Sequence, residues 1–237
     1  MRPIVLDDID TPDVWALLRW MTARSSDWVL IGGSMVATFD LEYGDPWRQT
    51  HDIDSLFDVR RADRGAIRRH VEELQQVGFE FVTAREGLGH RLVRGDLVPD
   101  VLSTDHFPRD PLVSLSPRLE TFQTPGGSQA VKRREMVEVS FRHDVFTLPR
   151  PNLLGAIVLK AAASRHANRS KDHRDLAHLV AKLDDPTGLR PQLTPPERHL
   201  LAERLRHRLV SAELAAIGRD ATSKLRLLAT DPTAGRG

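Results

Sequence analysis

Apolar positions recur along this chain in two rhythms. Between Asp10 and Arg24, Val14, Leu17, Leu18 and Met21 fall at i, i+3, i+4 and i+7, the spacing of one helix face. Thr11 stands ready to cap that helix, and Pro12 suits its first turn. Trp28-Val-Leu-Ile31 is an unbroken apolar run, expected as a short buried strand that ends at Gly32-Gly33. Ser34 then opens a second short helix to about Phe39, and 40–47 form a loop with Gly44 and Pro46. A strand over 48–59 is followed by a charged amphipathic helix over 62–77. Ile67, Val71 and Leu74 face inward there, and Gly78 ends it. Residues 79–83 alternate as a strand. Residues 90–94 and 97–102 are two more, flanking the Gly95-Asp96 hairpin turn.

Residues 105–135 carry Pro108, Pro111, Pro117, Pro125 and Gly126-Gly127, and read as an irregular connection; 135–140 is one further strand. Past Pro149-Arg-Pro151 the character changes to helix, over 152–166, 170–183 and 194–230, the last broken near Gly218. Thr194-Pro-Pro-Glu197 is a capping box with proline at the first helical position, and 231–237 reads as a frayed end. The pattern predicts an α+β protein. A mixed β-sheet flanked by helices spans 1–150, and a C-terminal helical bundle spans 151–237.

The 237 residues, 40% hydrophobic and 28% charged, suffice for one large or two small globular domains. With 34 Lys+Arg against 33 Asp+Glu, net charge selects no partner. Its distribution says more: 1–58 is acid-rich, and the last third is rich in Arg, Lys and His. A basic helical surface beside an acidic pocket could hold an anion such as RNA, or could simply be solvated. Cysteine is absent, which excludes a disulfide framework, a thiolate zinc site and a cysteine nucleophile. The N-terminus has no signal-like run and no stretch approaches 18 apolar residues, so a cytoplasmic protein without a membrane partner is expected.

The chemistry concentrates in Arg48-Gln-Thr-His-Asp-Ile-Asp54. On a strand, Arg48, Thr50, Asp52 and Asp54 share one face, and the two aspartate Cα atoms stand about 7 Å apart. Two close carboxylates on a buried face repel and resist desolvation. A raised pKa on one would relieve this, and so would a divalent cation with its demand for hard oxygens. Some twenty residues earlier, Gly32-Gly33-Ser34 joins a strand to a helix. Glycines let backbone approach a ligand, and a helix N-terminus favours anions.

A strand, Gly-Gly-Ser, a helix and then Asp-x-Asp together resemble the nucleotidyltransferase superfamily of the DNA polymerase β type. A third carboxylate from a neighbouring strand is expected there. Asp100, inside the apolar Leu97-Val-Pro-Asp-Val-Leu102, is preferred to Asp96 in the turn. Arg48-x-Thr50-x-Asp52-Ile-Asp54, with Lys160 and Lys171-Asp172 later, is similar to the AbiEii-type branch, toxins of bacterial toxin–antitoxin and phage-defence systems. The likeness covers roughly 26–180; 105–150 and the final helices carry no matching motif.

The resemblance implies that Asp52, Asp54 and Asp100 hold Mg²⁺ or Mn²⁺. It assigns NTP binding to Gly32, Gly33, Ser34, Arg48, Thr50, Lys160 and Lys171, with Asp172 orienting Lys160 or a substrate group. The implied reaction is NMP transfer from an NTP to a hydroxyl, with RNA and in particular tRNA as acceptor and an antitoxin protein as partner. From the residues alone, Lys160 in its apolar run either snorkels or meets a buried anion. Asp172 in a helix first turn suits the helix dipole in any case. Arg165, Arg169 and Arg174 read as a solvated face or as phosphate contacts. His166, His173 and His178 are spaced too irregularly for one helix face. Two alternatives share the core: a small-molecule nucleotidyltransferase of the aminoglycoside type, and a non-catalytic nucleotide-binding protein.

Overall fold

The computed structural model describes residues 3–6, 11–25, 27–58, 65–82, 91–105, 114–116, 119–120, 122–165, 170–218 and 220–230. The chain divides into two compact units, Met1–Asn152 and Leu153–Gly237. It is a mixed α+β protein with ten α-helices among the described residues. No helix among them is long and apolar enough to cross a membrane.

The first unit runs β1 (Ile4–Leu6), α1 (Pro12–Thr22), β2 (Trp28–Ile31), α2 (Gly32–Tyr43), β3 (Asp52–Phe57) and α3 (Ala66–Gln76). There follow β4 (Glu80–Phe81), β5 (Leu92–Val93), β6 (Val98–Thr104), β7 (Ser114–Ser116), β8 (Leu119–Glu120), β9 (Phe122–Thr124), α4 (Gly127–Lys132), β10 (Arg134–Phe141) and β11 (Asp144–Pro151). Its main sheet has the order β2-β3-β6-β9. β2 is antiparallel to β3, while β3, β6 and β9 are parallel. A second sheet, β1-β10-β11, sets β1 parallel to β10 and β10 antiparallel to β11.

Apolar burial explains these elements. The stripe Val14, Leu17, Leu18 and Met21 is wholly buried, joined by Trp15. All four residues of β2 are buried, as a continuous apolar strand should be when both faces are covered. α2 is buried from Ser34 to Asp40 and packs on β2 and β3. Gly44 in the left-handed conformation ends it, as a helix C-terminus commonly requires. Arg150 on β11 is 1% exposed, yet its charge is met. Its guanidinium bonds Glu42, Glu135 at 3.0 Å and Thr38 at 2.9 Å, and stacks on the Phe39 ring.

Several expected boundaries move. Thr11 makes no side-chain cap bond, and its buried Oγ1 lacks a partner among the described residues. The helix after β2 begins at Gly32 rather than Ser34 and continues past its last buried residue, Asp40, to Tyr43, where Gly44 ends it. The strand expected from residue 48 pairs only from Asp52. The Gly95-Asp96 hairpin forms, with Arg94 bridged to Leu97 and Arg91 to Asp100. β1 and β11 were not expected, and the stretch 105–135, expected as an irregular connection, holds β7, β8, β9 and α4, with β9 pairing onto the main sheet. β11 turns back from β10 through Arg142-His143, both at positive φ (49° and 69°), the geometry of a two-residue hairpin loop. The expected helix start at 62–64, the strand end at Thr83, and Arg169, His166 and the tail 231–237 lie outside the described residues.

The second unit holds α5 (Leu153–Ala163), α6 (Ser170–Ala181), α7 (Pro186–Leu189), a 3₁₀ turn (Arg190–Gln192), α8 (Pro195–Arg206), α9 (Arg208–Ile217) and α10 (Ala221–Ala229). α5 is buried all round from Leu154 to Ala162, and apart from Lys160 it is apolar on every face, as a central helix should be. The capping box at α8 forms: Glu197 accepts the Thr194 backbone N–H at 2.7 Å. The single long helix expected after Thr194 is three, interrupted at His207 as well as near Gly218.

Candidate functional site

β2 and β3 pair so that Ile31 lies opposite Asp54, which brings the β3 acids to the point where β2 turns into α2. The turn residue Gly32 has φ +72°, a conformation that costs an L side chain. A Cβ built on Gly32 would overlap Asp54 Oδ2 and come within 2.6 Å of its Cγ. The Asp54 carboxylate therefore occupies the space over Gly32, and only glycine serves both requirements. A Cβ on Gly33 would stand 3.1 Å from an Arg48 guanidinium nitrogen and 3.6 Å from Thr50 Cγ2. Arg48 and Thr50 thus lie over the second glycine, although neither belongs to the paired strand.

Ser34 makes a bond that its sequence position did not announce. Its buried hydroxyl donates to the Asp52 backbone carbonyl at 2.6 Å, tying α2 to the start of β3. Thr50 Oγ1 accepts the Asp52 N–H at 3.2 Å. These bonds fix the backbone from which Asp52 projects.

The parallel pairing of β3 with β6 puts Asp54 directly opposite Asp100 and Asp52 opposite Val98. In-register neighbours of a sheet project to the same side, and residues two apart on a strand do likewise. Asp52, Asp54 and Asp100 therefore share one face, beside the Gly32 turn. Asp96, the competing acid, sits in the hairpin turn and is exposed. Ser55 Oγ donates to the Asp100 carbonyl at 3.0 Å, fastening β6 to β3 at this level.

Arg91 is the residue that the sequence reading passed over. Its Nε donates to Asp100 Oδ1 at 2.9 Å and its NH2 to Oδ2 at 2.7 Å, a two-pronged pair. The hydrogen bonds to Asp100 raise the Arg91 pKa, with the charges of Asp100, Asp52 and Asp54 adding to the effect against partial desolvation. All three carboxylates therefore lie in the field of this one guanidinium. The signal was in the hairpin: counting outward from Gly95-Asp96 pairs 94 with 97 and 91 with 100.

Among the described residues no group of three His, Asp or Glu side chains is arranged to hold a metal ion. The donor chemistry nonetheless suits a hard divalent cation, since three carboxylates share a face, while Arg91 and Arg48 bring two positive charges that offset part of the negative charge and compete with a cation for it. What separates the acids is visible. Arg91 engages both oxygens of Asp100, and Asp54 lies against the turn.

In the helical unit Lys160 is 5% exposed. Its ammonium bonds Asp172 at 2.9 Å and Asp175 at 2.7 Å. Burial pulls the Lys160 pKa down, but the two carboxylates outweigh it and hold the lysine protonated, above its ordinary value. Lys160 thus meets buried anions rather than snorkelling, and both anions belong to the chain. Asp175 was not singled out from the sequence; it stands at i+3 from Asp172 and precedes Leu176 and Leu179 on the inward stripe. Lys171 is exposed at the start of α6. His173 is buried, with its Nε2 3.2 Å from the Ser164 carbonyl, which also accepts from Arg204 at 3.1 Å. Comparison with known protein families and with curated proteins found no match for this chain.

Proposed function

We propose that this protein is a metal-dependent nucleotidyltransferase with a polymerase-β-type catalytic unit, moving NMP from an NTP to an acceptor hydroxyl with pyrophosphate as the leaving group. The observation that carries the reading is the seating of the Asp54 carboxylate over Gly32 with Asp100 opposite it on β6. Mg²⁺ or Mn²⁺, when bound, supplies charge stabilisation at the phosphates, and Asp52, Asp54 and Asp100 are the residues to hold it. The first-turn amides of α2, with Arg48 and Thr50 over Gly33, form an anion-receiving rim for the triphosphate. Ser34 acts as a tie that positions Asp52. Asp100 is the carboxylate assigned to take the acceptor proton, which requires Arg91 to give up one of its oxygens.

The RNA acceptor, tRNA by precedent, and the role of toxin with a cognate antitoxin rest on the resemblance of Arg48-x-Thr50-x-Asp52-x-Asp54 to the AbiEii-type branch. Lys160, Asp172 and Lys171 add no support, because Lys160 already serves as a paired core cation. The decisive experiment offers an NTP labelled at the α-phosphate, Mg²⁺ and total tRNA to the protein and to Asp52→Ala. Labelled RNA is expected from the first and none from the second, with the fold intact by circular dichroism. Label retained by Asp52→Ala removes these carboxylates from the chemistry. Label on an aminoglycoside instead of RNA moves the protein to the small-molecule relatives.

One observation favours a second reading, a nucleotide-binding protein without turnover: Arg91 occupies both oxygens of the proposed base. Mg²⁺-dependent NTP binding with no transfer to any acceptor would select it.

A further inference from the structure

The Arg91–Asp100 pair has an unusual balance of exposure. The Arg91 side chain is 45% exposed, while that of Asp100 is 6% exposed. Asp100 is anchored by its strand, with its own carbonyl held by Ser55. Arg91 comes from the other arm of the hairpin, one bridge beyond the Arg94–Leu97 closure, and half of it already faces solvent. One partner is fixed and one is able to leave. Both acceptor oxygens of Asp100 are taken by the guanidinium, and these are the atoms that a divalent cation would coordinate.

We propose that Arg91 is the internal counter-ion of the carboxylate face, a positioning residue that holds Asp100 in place when no cation is bound and competes with a divalent cation for its oxygens. The inference rests on the metal-dependent reading above. Without Arg91, three carboxylates would face one another with less compensation, a costly arrangement in a partly desolvated site. With it, the face is preformed, and a cation must displace one charge-assisted pair to bind through Asp100. Arginine suits the task because its planar fork matches a carboxylate edge; lysine, a point charge, does not.

The test is direct Mn²⁺ binding without nucleotide, followed by the electron paramagnetic resonance of free Mn²⁺, on the full chain and on Arg91→Ala, Arg91→Lys and Asp100→Asn. Arg91→Ala is expected to bind Mn²⁺ roughly tenfold more tightly than the parent, equivalent to about 1.4 kcal/mol. Arg91→Lys should fall between them, and Asp100→Asn should bind more weakly. Thermal melting gives a second readout that does not depend on activity. Arg91→Ala should melt lower than the parent in chelator, and Mn²⁺ should raise its melting temperature by more than it raises the parent's. Equal or weaker Mn²⁺ binding by Arg91→Ala, with the parent binding normally, overturns the role of Arg91 and leaves the metal site standing. No Mn²⁺ binding by either protein overturns both.

Discussion

The Asp54 carboxylate stands in the space that a side chain on Gly32 would fill, and the same glycine carries a φ of +72°. Gly32→Ala therefore meets two obstacles: left-handed backbone strain and an overlap with a charged group. The first costs about 1–2 kcal/mol. The second forces Asp54 to move, so the loss of nucleotidyl transfer is expected to exceed the loss of stability. Gly44→Ala is the control, since it carries the same left-handed strain at φ +70° while its new Cβ meets nothing within 4 Å. Urea titration and a transfer assay on both variants check this. Equal effects of the two substitutions would show that Asp54 does not depend on the bare Gly32 backbone.

Lys160 offers a separate prediction about the helical unit. Removing its ammonium by Lys160→Met leaves Asp172 and Asp175 buried without their cation, an arrangement that typically costs about 3–5 kcal/mol. Asp172→Asn or Asp175→Asn should cost less, since one carboxylate still pairs with the lysine. The folded-state pKa of Lys160 is raised, so its stabilising contribution is present below the ordinary lysine pKa. It is lost only as pH rises through that higher folded value. Denaturation at pH 7 ranks the three variants. Lys160→Met as mild as either asparagine substitution would mean that the buried pair is not a net stabiliser.

Where the sequence was readable, it was because one local rule decided the matter. The i, i+3, i+4, i+7 stripe from Val14 to Met21, the apolar run Trp28–Ile31 and the capping box at Thr194 are governed by their own residues, and all three form. The placing of Asp100 beside Asp54 was foreseeable as a shared face, but the register that sets them opposite each other depends on a parallel pairing across 46 positions, from 54 to 100. β1 was invisible, since three residues pairing with β10 far along the chain carry no period of their own. Arg91 and Asp175 were readable in principle, one by counting across a hairpin and the other by helical spacing, and neither carried a motif to draw attention.

β11 was missed for a chemical reason that yields a third prediction. Its hairpin with β10 closes on Arg142-His143 at φ 49° and 69°, where the familiar signal would be Asn-Gly. Two ordinary side chains are held in a conformation that disfavours them. The double substitution Arg142→Asn, His143→Gly should stabilise the first unit by about 1 kcal/mol or more. A midpoint in urea that fails to rise would mean that side-chain contacts at the turn offset the backbone relief.

The last prediction concerns acid sensitivity and begins at α3. His70 is 2% exposed, lies 5.2 Å from the Phe57 ring, and neither ring nitrogen has a hydrogen-bond partner among the described residues. Burial lowers its pKa from 6.5 to about 4. The unfolded chain therefore takes up a proton near pH 6.5 that the folded chain refuses until about pH 4, so more protons are bound unfolded within that window. Stability must then rise with pH across the window and fall as pH drops through it, by about 3 kcal/mol at most for this one group. His70→Leu, close in size and without a proton to bind, should flatten that part of the profile. At neutral pH it should also match or exceed the parent in stability, because it removes a buried N–H without a partner. Urea denaturation of both proteins at intervals from pH 7.5 to 4 separates this from the other titrating groups, which the two share. Parallel profiles would mean that the His70 ring finds a proton partner or water as the pH falls, and that acid unfolding of the first unit is driven elsewhere.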